Sequence, residues 1–217
     1  TLLYTMEHQG LLEYASEELK ADKEVVLAAV KNGYSLKLIS EELRDDKEVV
    51  LAAITDWGYA LQYASEELQA DREVVLEAVT SSGEALMDFD DAFRSDKEVV
   101  MAAVANDESC ESELFKSIDK KLQADREVIL VAVKNDQSCL EFISDELVDN
   151  EVILTALDAG EWREDDLFHI FPNVGDNAPC WKDKDLNWKL IKAASGLTTL
   201  GLRVIRRSHP SLWTDKA

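Results

Sequence analysis

The sequence has little basic charge, little cysteine and proline, and no long hydrophobic run. Its 217 residues carry 45 acidic and 23 basic side chains, a net charge of −22, so the chain should repel nucleic acid and anionic lipid. No apolar run reaches the roughly 18 residues that span a membrane, which leaves at most a peripheral membrane contact. The three cysteines form no C-x-x-C motif, which argues against a disulfide scaffold or a zinc module. These absences exclude nucleic-acid-binding and membrane-spanning proteins.

A nine-residue segment close to D-K-E-V-V-L-A-A-V recurs along the chain. Its copies begin at Asp22, Asp46, Asp71, Asp96, Asp125 and, more faintly, Asp149. A second block, S-E-E-L, lies between the copies at Ser16, Ser40 and Ser65 and later becomes D-D-A-F, D-K-K-L and S-D-E-L. A fixed period of about 25 residues is typical of tandem-repeat proteins. We predict a partial first repeat followed by repeats that start near these six aspartates.

Each repeat contains two apolar patterns. The nine-residue segment is apolar all round, which predicts a buried inner helix, and its eighth residue is always alanine, which favours close helix packing. The second segment places Leu36, Ile39 and Leu43 at i, i+3 and i+7, the pattern of an amphipathic outer helix. Glycines at 33, 58 and 83 should provide the turns between the two, with φ above zero.

The predicted fold is an all-α solenoid of short two-helix repeats of about 24–25 residues over residues 1–160, with a divergent C-terminal cap. No proline precedes Pro172, so the helices should be uninterrupted. One repeat alone cannot bury its apolar face, whereas stacked repeats can. Four extra residues in the fourth repeat equal about one helical turn, so Leu114, Ile118 and Leu122 should keep their facing. Because the chain begins and ends inside a repeat without an initiator Met, we expect a fragment of a longer protein or a processed chain.

A family resemblance supports this fold. The third repeat reads A-L-Q-Y-A-S-E-E-L-Q-A-D-R-E-V-V-L-E-A-V from Ala60 to Val79. This resembles the signature A-L-x-Y-A-S-x-E-L-x-x-D-[KR]-E-V-V-L-A-A-V of an uncharacterised family of tandem helical repeats, described only as a domain of unknown function. The resemblance extends over about residues 1–157. It implies a helical repeat fold and, by analogy, a binding scaffold, and it brings no catalytic residue or cofactor.

Acidic side chains form two series at the repeat spacing. In the D-[KR]-E triplets we expect the aspartate to cap the following helix and the glutamate to favour its dipole. The second series is interrupted at Lys120–Lys121 and consists of Glu17, Glu18, Glu41, Glu42, Glu66, Glu67, Asp145 and Glu146. It is either a solvated face that keeps the protein soluble or an acidic strip for a basic protein partner.

Four aromatic residues cluster near the turns of two adjacent repeats, namely Tyr34, Trp57, Tyr59 and Tyr63. Aromatic side chains at the edge of a solenoid either pack against neighbouring repeats or stay exposed. If exposed, Trp57 and Tyr59 would anchor a protein interface.

The sequence predicts no enzyme, cofactor or metal site. Cys110 and Cys139 fall in a repeat column of small residues, so we expect packing roles and free thiols in a reducing, intracellular compartment. Cys180 has no catalytic motif around it, although His169 and His209 could pair with it. The segment from Asp183 begins like a calcium loop but has Trp188 where glycine is required.

Residues 161–217 differ in composition from the repeats. Residues 1–160 have a net charge of −23, whereas these 57 residues have a net charge of +1 and contain all three prolines. They form a cap on the solenoid, an amphipathic segment on a membrane surface, or a docking element. The docking candidates are Trp162, Trp181, Trp188, Arg203, Arg206, Arg207 and Trp213.

Two hypotheses for the function follow. The first is a non-enzymatic protein-interaction scaffold or adaptor whose partner meets the acidic series or the C-terminal region. The alternative is a peripheral structural subunit of a large hetero-complex, membrane-associated or organellar, docked through residues 161–217.

Overall fold

Each D-[KR]-E triplet, and the D-N-E triplet at Asp149, starts an α-helix in the computed structural model, which describes residues 11–30, 33–107 and 113–159. We call these the main helices: α1 (Lys23–Ala29), α2 (Lys47–Ile54), α3 (Arg72–Ser81), α4 (Lys97–Ala105), α5 (Arg126–Asn135) and α6 (Asn150–Ala159). The aspartate before each accepts hydrogen bonds from backbone amides of the first turn, as Asp46 does from Glu48 at 3.0 Å and Val49 at 3.3 Å. The predicted capping role is therefore confirmed.

The segment between main helices consists of two short pieces. The first is a 3-10 helix in most repeats: Leu11–Tyr14, Gly33–Leu38, Gly58–Tyr63, Gly83–Asp88 and Gln137–Phe142. The fourth repeat has the α-helix Glu113–Ser117 instead. The second piece is a single helical turn: Glu17–Lys20, Glu41–Arg44, Glu66–Gln69, Phe93–Ser95, Lys120–Gln123 and Asp145–Leu147, of which Phe93–Ser95 and Asp145–Leu147 are 3-10.

The prediction of one continuous outer helix was wrong. Ala64 and Ser65 are extended, with ψ values of 172° and 155°. The Ser65 hydroxyl then accepts the Leu68 amide at 3.4 Å and so starts a new turn. The predicted stripe nevertheless faces the core, since Leu36, Ile39 and Leu43 are buried.

The main helices supply most of the core. In α2, Val49, Val50, Ala53 and Ile54 are completely buried, whereas Leu51 is only half-buried. The same column is half-buried in every repeat: Leu27, Leu51, Leu76, Met101, Leu130 and Leu154. The prediction of helices buried all round was therefore wrong for one face.

The alanines at the eighth position of each repeat segment are packed as predicted. After the four-residue insertion in the fourth repeat, the apolar side chains still largely face the core. The buried alanines are Ala53, Ala78, Ala103, Ala132 and Ala156, while Ala29 is half-buried. In the fourth repeat Leu114 and Ile118 are buried, whereas Leu122 is half-buried.

Glycines 58 and 83 are required by close packing between repeats. Neither has a positive φ, so the predicted reason for glycine was wrong. A Cβ on Gly58 would lie 2.1 Å from the Ala78 carbonyl oxygen, and a Cβ on Gly83 would lie 2.1 Å from that of Ala103. Each glycine therefore lets the start of a 3-10 helix touch the backbone of the next main helix.

The chain is an all-α repeat solenoid, and the residues described above contain no β-strand. It divides into two compact units, Thr1–Glu108 and Ser109–Ala217. None of the helices in the described ranges is long and apolar enough to cross a membrane. The predicted C-terminal region, 161–217, lies outside the described residues.

Candidate interaction surfaces

The basic residues of four triplets each join one repeat to the next. Lys47 Nζ lies 2.7 Å from Asp71 Oδ2 and 2.9 Å from Glu73 Oε2, so a single ammonium group bridges the acidic pair of the following repeat. The same bridge joins Lys23 to Asp46 and Glu48, Arg72 to Asp96 and Glu98, and Arg126 to Asp149 and Glu151. We call this series the paired ladder. The paired ladder was not predicted, although the sequence shows the signal: each base has an acidic pair one period later.

The paired ladder changes the pKa values of its members. Hydrogen bonds from Lys23, Lys47 and Arg72 hold the pKa values of Asp46, Asp71 and Asp96 below the usual range. The pKa values of Lys23 and Lys47 are raised by the same hydrogen bonds. A carboxyl group with a depressed pKa in the folded state stabilises the fold above its unfolded pKa, and this stability is lost as the pH falls through the folded value.

Acid should therefore unfold the repeats by protonating the paired ladder. The carboxyl contribution should be complete above a pH of about 4, the pKa of an unfolded aspartate, and should disappear at lower pH. Arg72→Gln should lower Tm at pH 7, and the difference from the unchanged protein should shrink between pH 4 and pH 2. Thermal unfolding followed by circular dichroism at pH 7, 5, 4, 3 and 2 measures both effects.

Lys134→Gln is the matched control for this prediction. Lys134 is exposed and has no ion pair within the described ranges, so its loss should change Tm little and without this pH dependence. A constant Tm difference for Arg72→Gln across the whole pH range would contradict the prediction.

The second series remains largely uncompensated. In the first compact unit it comprises the acidic ladder, which we define as Glu17, Glu18, Glu41, Glu42, Glu66 and Glu67, and all six are exposed. Glu17 and Glu41 pair with bases three residues later, yet their side chains remain 90% and 93% exposed. The other four form no ion pair within the described part of the chain.

Backbone hydrogen bonds set the distance between successive glutamate pairs of the acidic ladder, which we call its rungs. The Ser40 amide donates to the Lys20 carbonyl at 3.2 Å, and the Ser65 amide donates to the Arg44 carbonyl at 3.0 Å. Each short helix therefore begins against the end of the preceding one. Because a four-residue helical turn rises about 6 Å and the hydrogen bond that follows it is about 3 Å long, we expect successive acidic pairs to lie roughly 8–10 Å apart.

Trp57 and Tyr59 lie together on the edge of the first compact unit. Their ring centroids are 6.0 Å apart, and Tyr63 lies 6.5 Å from Trp57. All three are half-buried, so each ring is both packed and accessible. The Tyr59 hydroxyl donates to Glu84 Oε2 at 2.6 Å, which ties this cluster to the next repeat. The side chain of Tyr34 lies outside the described set.

Some of the remaining candidate residues lie within the described ranges and others lie outside them. Cys139 is buried in the small-residue column, as predicted. In the second compact unit Asp145 is half-buried, and Glu146, Lys120 and Lys121 are exposed. Within 11–30, 33–107 and 113–159 no three His, Cys, Asp or Glu side chains are arranged to hold a metal ion. The candidates outside these ranges are Cys110, Trp162, His169, Cys180, Trp181, Asp183, Trp188, Arg203, Arg206, Arg207, His209 and Trp213.

Comparison with known proteins identifies the repeats. The family model described as a domain of unknown function, DUF4116, matches five overlapping segments: 6–44, 31–69, 46–94, 71–110 and 96–148. No curated protein and no solved structure matches the chain. Together the five matches extend over residues 6–148, which is more than half of the sequence. The chain therefore belongs to the DUF4116 family of helical repeats.

Proposed function

We propose that this chain is a non-enzymatic protein-interaction scaffold whose acidic ladder binds a basic segment of a partner protein. The observation that carries the proposal is the contrast between the two acidic series. Each base of the paired ladder bridges two carboxylates of the next repeat, whereas Glu18, Glu42, Glu66 and Glu67 are exposed and have no ion pair in the described structure.

Electrostatics explain why a basic partner suits this surface. Like charges repeated at about 8–10 Å repel one another, and salt reduces this repulsion because the Debye length is about 8 Å at physiological ionic strength. A partner that carries lysine or arginine removes this repulsion and also gains attraction at a distance, which speeds association.

The distance between the rungs of the acidic ladder favours one spacing of basic residues along a partner peptide. A peptide in the polyproline II conformation rises about 3.1 Å per residue with three residues per turn, so every third residue recurs on the same face at about 9 Å. A partner segment with a base at every third position can therefore place one base on each rung.

A pair of peptides with the same composition tests the proposal. One carries four lysines at every third position of a ten-residue serine and glycine peptide, and the other carries the four lysines in one block. We expect the spaced peptide to bind the full chain more tightly, and both peptides to bind more weakly as sodium chloride rises from 50 to 300 mM. Fluorescence anisotropy of labelled peptides measures these affinities.

Two variants with the same net charge locate the binding surface. Glu18→Gln/Glu42→Gln/Glu67→Gln removes three charges from the acidic ladder. Exposed ion pairs are individually weak, so we expect these three losses together to weaken binding of the spaced peptide about tenfold. The control, Glu13→Gln/Glu77→Gln/Glu141→Gln, removes three exposed charges elsewhere and should weaken binding much less. Equal weakening by both variants would refute the acidic ladder as the binding surface.

A further inference from the structure

A cavity opens beside the Trp57–Tyr59 pair, within the first compact unit. Its volume is about 300 Å³, and its walls come from three successive repeats. Asp56, Trp57 and Tyr59 follow α2, Ser82 and Glu84 follow α3, and Asn106 follows α4. This volume is at the small end of ligand sites, so the cavity suits one side chain better than a large cofactor.

Trp57 occupies a position where a polar residue would serve the local structure better. It precedes the 3-10 helix Gly58–Tyr63 and makes no capping hydrogen bond. At the equivalent position of a later repeat, Asp136 accepts the Ser138 amide at 2.9 Å. The Gly58 amide instead donates to the Ser82 hydroxyl of the next repeat at 3.1 Å. The tryptophan therefore makes no capping contribution to the 3-10 helix, and its ring instead packs against Tyr59 and Tyr63.

The cavity is electronegative. Asp56 and Glu84 line it, and among the described residues no basic side chain does. The C-terminal ends of α3 and α4 meet at its wall, and helix C-termini carry partial negative charge. Burial and the hydrogen bond to Glu84 raise the pKa of the Tyr59 hydroxyl, and Asp88 and Asp107 add to this effect. Tyr59 is therefore a protonated donor that uses one oxygen of Glu84 and leaves the other for a ligand.

We propose that this cavity binds a guanidinium group, supplied by an arginine side chain of the protein partner. A planar guanidinium can stack on an aromatic face while its N–H groups reach carboxylates, which a compact ammonium group does less well. Trp57 provides the aromatic face, Asp56 and Glu84 provide the carboxylates, and Asn106 provides an amide oxygen. The Asn106 amide nitrogen already donates to the Ala102 carbonyl at 2.8 Å, which leaves its oxygen as the acceptor. This inference rests on the proposed scaffold function and adds a preference for arginine to it.

Small probes test the cavity separately from the acidic ladder. Acetyl-arginine amide, acetyl-lysine amide and the uncharged acetyl-citrulline amide are titrated into the full chain and followed by NMR. For one guanidinium we expect a Kd of about 1 mM. The arginine probe should bind at least about fivefold tighter than the lysine probe, because only guanidinium both stacks and bridges. The citrulline probe should not bind. Equal affinities for arginine and lysine would overturn the proposal.

Substitutions identify the residues that give the cavity its preference for arginine. Trp57→Ala and Glu84→Gln should each remove the preference for arginine, whereas Trp57→Phe, which keeps an aromatic face, should retain part of it. Tyr14→Ala is the matched control, because Tyr14 is an aromatic residue of the same unit that is 83% exposed and does not line the cavity. Circular dichroism verifies that each variant is folded. An unchanged arginine preference in folded Trp57→Ala would also overturn the proposal.

Two further outcomes separate this inference from the scaffold function and from a free ligand. If the spaced lysine peptide binds but the arginine preference is absent, the cavity proposal fails and the scaffold function stands. If neither the peptide nor the probe binds, both fail. Propylguanidinium provides the same guanidinium and the same single positive charge as a free small molecule. Tighter binding of propylguanidinium than of acetyl-arginine amide would overturn the assignment to a partner's side chain.

Discussion

Replacing Gly83 with alanine should destabilise the first compact unit by about 3 kcal/mol or more, the upper range for overpacking a well-packed site. The new Cβ would lie 2.1 Å from the Ala103 carbonyl oxygen, 2.8 Å from the Asp107 amide nitrogen and 2.9 Å from the Asn106 carbonyl carbon. All three are backbone atoms, so no flexible side chain can move away. The 3-10 helix that begins at Gly83 must then separate from α4, and the buried contacts between them are lost. Urea unfolding followed by circular dichroism measures the loss.

The residues that begin the equivalent 3-10 helices in other repeats provide a second test and a control. Gly58→Ala should have an effect of similar size, because its Cβ would also meet a main-helix carbonyl, that of Ala78, at 2.1 Å. Gln137 begins the corresponding 3-10 helix in the second compact unit and is half-buried. Gln137→Ala should therefore change the free energy of unfolding by less than about 1 kcal/mol. If both glycine variants unfold at the same urea concentration as the unchanged protein, the close packing of the repeats is contradicted.

The glycines show where local sequence rules fail. Glycine after a helix usually indicates a positive φ, and this was the basis of the prediction. The actual requirement comes from a carbonyl about 20 residues away in the next repeat, at Ala78 for Gly58. No rule that considers only neighbouring residues could identify this contact.

The break in the outer segment was hidden for a different reason. The two pieces bury one continuous stripe, so the spacing of Leu36, Ile39 and Leu43 continues across the break. Ser40 provided the contrary signal, since serine before two glutamates is typical of a helix N-terminus. Periodicity reports which side faces the core, whereas the capping residue reports where a helix begins.

The candidate surfaces were predictable only in part. The exposure of the acidic ladder follows from its pattern, and so does the capping by Asp46 and its equivalents. The ion pairing of the paired ladder depends on the contact between one repeat and the next, as between Lys47 and Asp71. The cavity is still harder to predict from the sequence, because Trp57, Glu84 and Asn106 come from three repeats and no motif joins them.

Truncating Leu61 to alanine should cost about 2–5 kcal/mol, the range for removing a large aliphatic side chain from a core. Leu61 lies in the 3-10 helix Gly58–Tyr63 and is completely buried. Because repeats contact mainly their neighbours, the resulting cavity weakens the packing of the second repeat against those beside it. Urea unfolding followed by circular dichroism measures the change, and hydrogen exchange of α2 and α3 shows where the protection is lost.

Leu51→Ala is the matched control, since it removes the same atoms from the same repeat. Leu51 belongs to the half-buried column of the main helices, so much of its surface is already in water and its truncation should cost less than half as much as that of Leu61. Equal costs for the two variants would contradict the difference in burial. They would show that the half-buried leucine column is covered in solution, because a side chain that loses a full transfer free energy must be buried in the folded state.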